Sequence, residues 1–200
     1  PVNLQASTDE TILLKEDMIT FEGSIGAPDL SYGWAKLTCE YLGKLAYERH
    51  GIDSAVYRPF SGYGSDQDLT YPFPSICKRA LDDRGAAEFE VWGSGLQSRD
   101  FIHIDDCVRG VLMTMDYLHG GDALNLSTGK LTTFIEFAEI ATRLVGYQPL
   151  VRGNTDMPEG VASRGGDTLK QSEFGFTATV TLEQGIAECL ECLQLNRQEP

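Results

Sequence analysis

Apolar residues recur along this chain in two alternating rhythms. From 32 to 49 they return every four positions, as Leu37, Tyr41 and Leu45, and Gly51 is placed to stop the turn; this predicts an amphipathic helix. The run "SAVYRPF" at 54–60 has the length of a buried strand. After an irregular stretch from Gly62 to Pro74, a helix is expected near 74–83 and a strand at "FEVW", 89–92. "FIHI" at 101–104 reads as another strand, feeding a helix that Asp105 or Asp106 can cap, with Val108, Val111, Leu112 and Met115 on one face. "ALNLS" at 123–127 is strand-like, and the helix after it opens on a capping box, Thr133 with Glu136, and stops at Gly146. A last helix runs from Thr181 to about Leu195, whereas residues 1–30, punctuated by Gly23, Gly26 and Pro28, read as loop. Strands alternating with helices predict an α/β fold around a partly parallel sheet.

Composition narrows the partners. A 42% hydrophobic content with two Trp, eight Tyr and nine Phe can fill a core. A net charge of -14 argues against nucleic acid and anionic membranes as partners, so an anionic ligand needs a local basic site. No long apolar run or signal-like segment is seen, and the five cysteines are an odd number, so a reducing, cytoplasmic setting is expected. Cys189 and Cys192 lie within a periodic segment and read as packed helix residues rather than metal ligands; no metal is expected.

Tyr32 and Lys36 stand one turn apart on one face of the first helix. A phenol titrates near ~10 in water, so a tyrosine base working at neutral pH needs help, and an ammonium one turn away is suited to give it. By itself the spacing is equally that of a surface Tyr with a nearby Lys.

Its context changes that. The helix bearing "SYGWAK" is followed by "YRPFSGYG" at 57–64 and then by "VWGSGLQSRDFIHIDD" at 91–106. In this order and spacing, the three segments resemble the extended short-chain dehydrogenase/reductase family, the NAD-dependent epimerases and dehydratases of nucleotide-linked sugars. The resemblance runs on through "PEGVASRGGDTLKQSEFGF" at 158–176 and the final helix. It implies the C-terminal part of a Rossmann-like fold: a remnant of the dinucleotide domain at 1–66 and a sugar-nucleotide domain at 67–200, with 101–118 packing back on the former.

The family's residues carry over one by one. Tyr32 would be the general base that takes a proton from a sugar hydroxyl while hydride passes to NAD, and Lys36 would bind the nicotinamide ribose and ease loss of the phenolic proton. Pro59 and Ser61 would border the nicotinamide and the sugar, although the family commonly has Asn where Ser61 stands. Arg99, with Gln97 beside it, and Arg164 would grip the substrate diphosphate, a task suited to the guanidinium fork. Arg79 is a third candidate. "WGSGLQSR", "PEGVASR" and "CKRA" look most like the 3,5-epimerising branch of the family, yet Tyr71 occupies the position of its second acid/base lysine, so 3,5-epimerisation does not carry over.

One part of the pattern is not found. The family's Gly-rich strand, turn and helix, which hold the NAD pyrophosphate, have no counterpart; "GSIG" at 23–26 and "GSG" at 93–95 are wrongly spaced. The third catalytic residue, a Ser, Thr or Cys, is expected before residue 1, with Ser7 the one substitute. The chain alone is therefore expected to be catalytically incomplete, to bind no NAD, and to form a homodimer or associate with a missing N-terminal half through Leu37, Tyr41, Leu45 or a sheet edge. The alternative is a truncated, stand-alone nucleotide-sugar-binding or non-catalytic protein.

Overall fold

The computed structural model describes residues 13–18 and 30–196. Helix α1 spans Leu30–His50 and ends where Gly51, at φ 66°, returns its N–H to the Tyr47 carbonyl. Strand β1 (Ala55–Pro59), helix α2 (Pro72–Asp82) and strand β2 (Glu88–Trp92) follow close to their expected bounds. The next segment differs from expectation. The strand is β3, Ser98–Asp100, and Ile104 already opens helix α3 (Ile104–Thr114). Neither Asp105 nor Asp106 caps it; His103 does, its Nδ1 accepting from the Asp105 N–H at 3.3 Å.

Strand β4 (Asp122–Leu126) leads to β5 (Leu131–Thr133) and α4 (Phe134–Val145), whose start is the Thr133–Glu136 capping box and whose end is Gly146 at φ 96°. Then come β6 (Leu150–Asn154), β7 (Ser163–Arg164), the short α5 (Leu169–Glu173) and α6 (Leu182–Leu195), which opens on a second capping box, Thr181 with Gln184. The expected loop at 1–12 and 19–29, with Ser7 and "GSIG", lies outside the described residues.

Among the described residues the strands form three small sheets rather than one: β1 parallel to β4, β2 parallel to β6, and β5, β3 and β7 in that order, with β3 antiparallel to β5 and parallel to β7. Two apolar cores lie among these sheets in the described residues. The larger gathers Phe73, Phe101, Phe134 and Phe137 between α2, α4, α6 and β2, their rings meeting edge-on or tilted at centroid distances of 5.0–6.1 Å. Here too Cys189 of α6 meets Cys77 of α2, both free and fully buried, while Cys192 is only half-buried.

The smaller core, Ile102, Cys107, Leu118, Leu124, Leu126 and Phe176, fills the space between β1–β4 and α3. The face of α3 turned to it carries Cys107, Gly110, Val111 and Thr114. Val108, Leu112 and Met115, expected to share a packed face with Val111, are instead 50%, 65% and 50% exposed. On the other side of the β1–β4 pair, α1 is fastened by a bidentate ion pair, Arg58 Nε and Nη2 to Glu40 at 3.1 and 2.7 Å.

Two buried carboxylates join the parts. Asp100, at the end of β3, accepts from Ser127 Oγ, from the N–H and hydroxyl of Thr128 (3.0 and 2.6 Å) and from the Gly129 N–H (2.9 Å), and so pins the loop after β4. Asp106 of α3 holds the approach to α6 through the N–H groups of Thr179 and Val180 at 2.9 and 2.8 Å.

Candidate functional site

Strands β3 and β7 run side by side in a register that pairs Arg99 with Arg164. Two guanidinium-bearing residues are thus neighbours in an otherwise acidic protein. Burial, and the like charge of Arg164, push the Arg99 guanidinium down to about 10. Among the described residues no carboxylate answers Arg99. Its Nη1 donates to the carbonyls of Ser98 (2.7 Å) and Val161 (2.8 Å), and its Cζ lies 5.7 Å from the Phe134 ring centroid. A cation held in this way gains from an arriving anion what burial has taken from it.

Gln97 is buried two residues before Arg99. Its Nε2 donates to the Trp92 carbonyl at 2.7 Å, while its Oε1 has no partner among the described residues. The "GSG" of 93–95 forms the turn between β2 and β3, so it does not lead from a strand into a helix. Arg79 faces elsewhere, donating to the Glu90 carbonyl at 2.7 Å with its Cζ 4.8 Å from the Phe89 ring centroid; burial lowers its pKa. Tyr71 is the exposed N-cap of α2 and makes no side-chain cap bond.

The other candidates gather at the carboxyl end of β1. Pro59 is its last residue, and beyond it Ser61 is the one non-glycine among the described residues with positive φ, at 39°. A side chain held there is strained, and such outliers persist where the surroundings over-determine them. The neighbour that fixes the loop is Phe60, whose N–H and C=O bond Leu126 and Ile102, while its ring closes against Gly166, two residues after Arg164. The Ser61 loop is therefore tied both to the continuation of β3 and to β7.

Helix α1 runs antiparallel to β1, with Lys44 beside Gly121 near the start of β4 and Glu40 on Arg58. Continuing toward its N-terminus, Lys36 and Tyr32 lie about 6 and 12 Å beyond Glu40 at 1.5 Å per residue, toward the strand end that carries Pro59 and Ser61. The Lys36 ammonium stands 5.5 Å from the Tyr32 ring centroid, and the phenol is 63% exposed.

Sequence reasoning missed the loop from 155 to 162. Val161 supplies the carbonyl on Arg99, and Glu159 accepts from Ser94 Oγ in the β2–β3 turn. The string "PEGVASR" stood out, but nothing in its spacing shows that Glu159 reaches back to Ser94.

A parallel strand pair flanked by helices on both faces, with the strained Ser61 just beyond the carboxyl end of one strand, is a Rossmann-like α/β arrangement. Residues 3–127 match the NAD dependent epimerase/dehydratase family, and the chain belongs to it. It is 31% identical over 164 residues to a protein named probable GDP-L-fucose synthase 1 of Oryza sativa subsp. japonica, covering 78% of this chain and 50% of that one. It is 30% identical over 167 residues to GDP-mannose 3,5-epimerase 1 of Oryza sativa subsp. indica, covering 80% of this chain and 42% of that one. Among solved structures, a UDP-glucuronic acid 4-epimerase from Bacillus cereus, in complex with UDP-glucuronic acid and NAD, superposes with a TM-score of 0.79 at 21% identity, over 98% of this chain and 60% of that one. The chain thus spans about half the length of the curated relatives it matches.

Proposed function

We propose that this chain is the part of an NAD-dependent nucleotide-sugar epimerase or dehydratase that carries the Tyr–Lys helix and grips the substrate diphosphate. The observation that carries this reading is the pairing of Arg99 with Arg164 across β3 and β7, with Arg99 desolvated and given no carboxylate among the described residues. Two adjacent guanidinium groups are a receptor for a doubly charged diphosphate, and they provide the local field that a chain of net charge -14 otherwise denies to an anion.

The family's cofactor fits one end only. Tyr32, Lys36, Pro59 and Ser61 are suited to the nicotinamide and its ribose. No Gly-rich turn opens a helix among the described residues, and the N-termini of α3, α4 and α6 already have side-chain caps. NAD, when bound, accepts a hydride from a sugar carbon. This chain's part is then to take the proton of the sugar hydroxyl at the Tyr32 oxygen, with Lys36 one turn away favouring the phenolate and Ser61 contacting the sugar.

A second reading is a nucleotide-sugar-binding module without chemistry, and the 63% exposure of Tyr32 favours it, because a base needs a closed, dry site. Either way the chain offers surfaces for association: an edge of β1 with no strand partner among the described residues, and the exposed stripe of Val108, Leu112 and Met115 on α3. These serve a homodimer or a separate N-terminal half. Leu37, expected to contribute, is 3% exposed and belongs to the chain's own interior.

Calorimetric titration with GDP and with UDP tests the anion site. Arg99→Ala is expected to lose about 10- to 100-fold in affinity, the worth of a charge-assisted bidentate contact. Equal binding by Arg99→Ala and the parent would refute the reading. NAD turnover with a GDP-sugar, assayed with a family N-terminal half supplied, separates the enzyme part from the binding module.

A further inference from the structure

The carbonyl that steadies Arg99 belongs to a strap, residues 157–162, crossing from β6 to β7. Its ends are tied by the Met157 N–H to the Asn154 carbonyl at 3.1 Å and by the Ser98 N–H to the Ala162 carbonyl at 2.8 Å. Its middle is held by side chains. Glu159 Oε1 accepts from Ser94 Oγ, which in turn accepts from the Leu96 N–H at 3.2 Å. Glu159 also lies flat on Gly93, where a Cβ would come within 2.8 Å of its Cα and Cβ. Gly160 then turns the chain at φ 76°, a left-handed conformation natural to glycine, and Val161 arrives with its carbonyl 2.8 Å from Arg99 Nη1.

The consequence lies in the donor count. Nη1 of a guanidinium has two N–H bonds, and here both are taken, by Ser98 and Val161. Nε and Nη2 keep three, with no acceptor among the described residues, and together they form a side-on fork that matches two phosphate oxygens. We propose that Glu159 and Ser94 are positioning residues for the anion site: by latching the strap they hold the Val161 carbonyl against Arg99 and keep the Nε–Nη2 edge aimed at a diphosphate. This rests on the reading of Arg99 and Arg164 as that site. Fixing a long, rotamer-rich side chain in advance removes an ordering cost that the ligand must otherwise meet.

A role for Glu159 through charge alone has the opposite sign, because removing a carboxylate beside an anion site tightens binding. The test is calorimetric titration of the full chain with GDP. Ser94→Ala and Glu159→Ala are each expected to weaken binding about 5-fold, the scale of one lost hydrogen bond. The double variant should be no weaker than either single one, because both changes break one latch. Glu159→Gln keeps an acceptor oxygen for Ser94 Oγ and should bind within about 2-fold of the parent. Parental affinity in Ser94→Ala, additive losses in the double variant, or tighter binding by Glu159→Gln and Glu159→Ala alike would overturn the proposal. Arg99→Ala serves as the control. If the parent does not bind GDP, or binds it without needing Arg99, the reading of the site falls and takes the latch with it. If binding needs Arg99 but is indifferent to Ser94 and Glu159, the latch alone falls.

Discussion

Asp106→Asn is expected to destabilise the fold by about 1.5 to 3 kcal/mol, with a pH dependence that identifies the cause. The carboxylate is 1% exposed and accepts four bonds: Oδ2 from the N–H groups of Thr179 and Val180 (2.9 and 2.8 Å), and Oδ1 from the Thr179 hydroxyl (3.0 Å) and Arg109 Nη2 (2.6 Å). Burial by itself would raise its pKa, but the Arg109 bond and the bonds from Val180 and Thr179 outweigh burial and hold it below its ordinary value of 3.8. An amide keeps one acceptor oxygen: with its NH2 toward the main-chain pair it loses the bonds from the Thr179 and Val180 N–H groups, and with its NH2 toward the other pair it loses the Arg109 bond while the Thr179 hydroxyl turns to accept. At about 1.5 kcal/mol for each bond to a charged acceptor, the loss is about 1.5 to 3 kcal/mol. The Arg109 contribution is discounted because that side chain is 38% exposed to solvent screening.

The sign of the pH effect follows from the depressed pKa. The ionised carboxyl contributes its stability above the unfolded value near 3.8 and loses it as pH falls through the lower folded value. Parent and variant should therefore differ fully at neutral pH and converge in acid. Urea unfolding from about pH 7 down toward pH 3 measures both the gap and its closure. A gap under about 1 kcal/mol at neutral pH, or one that stays constant into acid, would refute the reasoning.

Gly185→Ala should destabilise by about 1 to 3 kcal/mol, because its methyl would land on the buried Tyr63 hydroxyl, which is stacked on Phe73 and cannot retreat; thermal unfolding measures the loss. Ser61→Gly should raise the unfolding free energy by up to about 1 kcal/mol, relieving the strain at φ 39°, while removing the hydroxyl from the proposed sugar side of the site; an unchanged melting curve would mean that the strain is absent. Leu112→Glu, on the exposed face of α3, should leave unfolding within about 0.5 kcal/mol of the parent and reduce self-association seen by light scattering, whereas a loss of several kcal/mol would place Leu112 in the core.

Much of the fold could be read along the chain because the signals for those elements are local. Both α4 termini were legible, since a capping box and a terminal glycine act within a few residues of themselves. The ends of α1 and α6 and the parallel-type strands β1 and β4 were legible for the same reason. The candidate site residues Tyr32, Lys36, Gln97, Arg99 and Arg164 came from motif resemblance, and that too is carried by short strings.

What the tertiary structure alone decided depends on residues far apart in sequence. The start of α3 moved because His103, not an aspartate, found the free N–H, while Asp106, which had looked like a cap, is held by Thr179 and Val180 more than seventy positions away. Its apolar stripe, periodic in sequence, faces outward because Cys107, Gly110 and Thr114 fit against β1 and β4; periodicity marks a face without saying what lies opposite it. The left-handed Ser61, the register that brings Arg164 beside Arg99 and the Glu159 latch on Ser94 are set by strand pairing and loop closure. No local preference encodes them, because each exists only once two distant segments have been brought together.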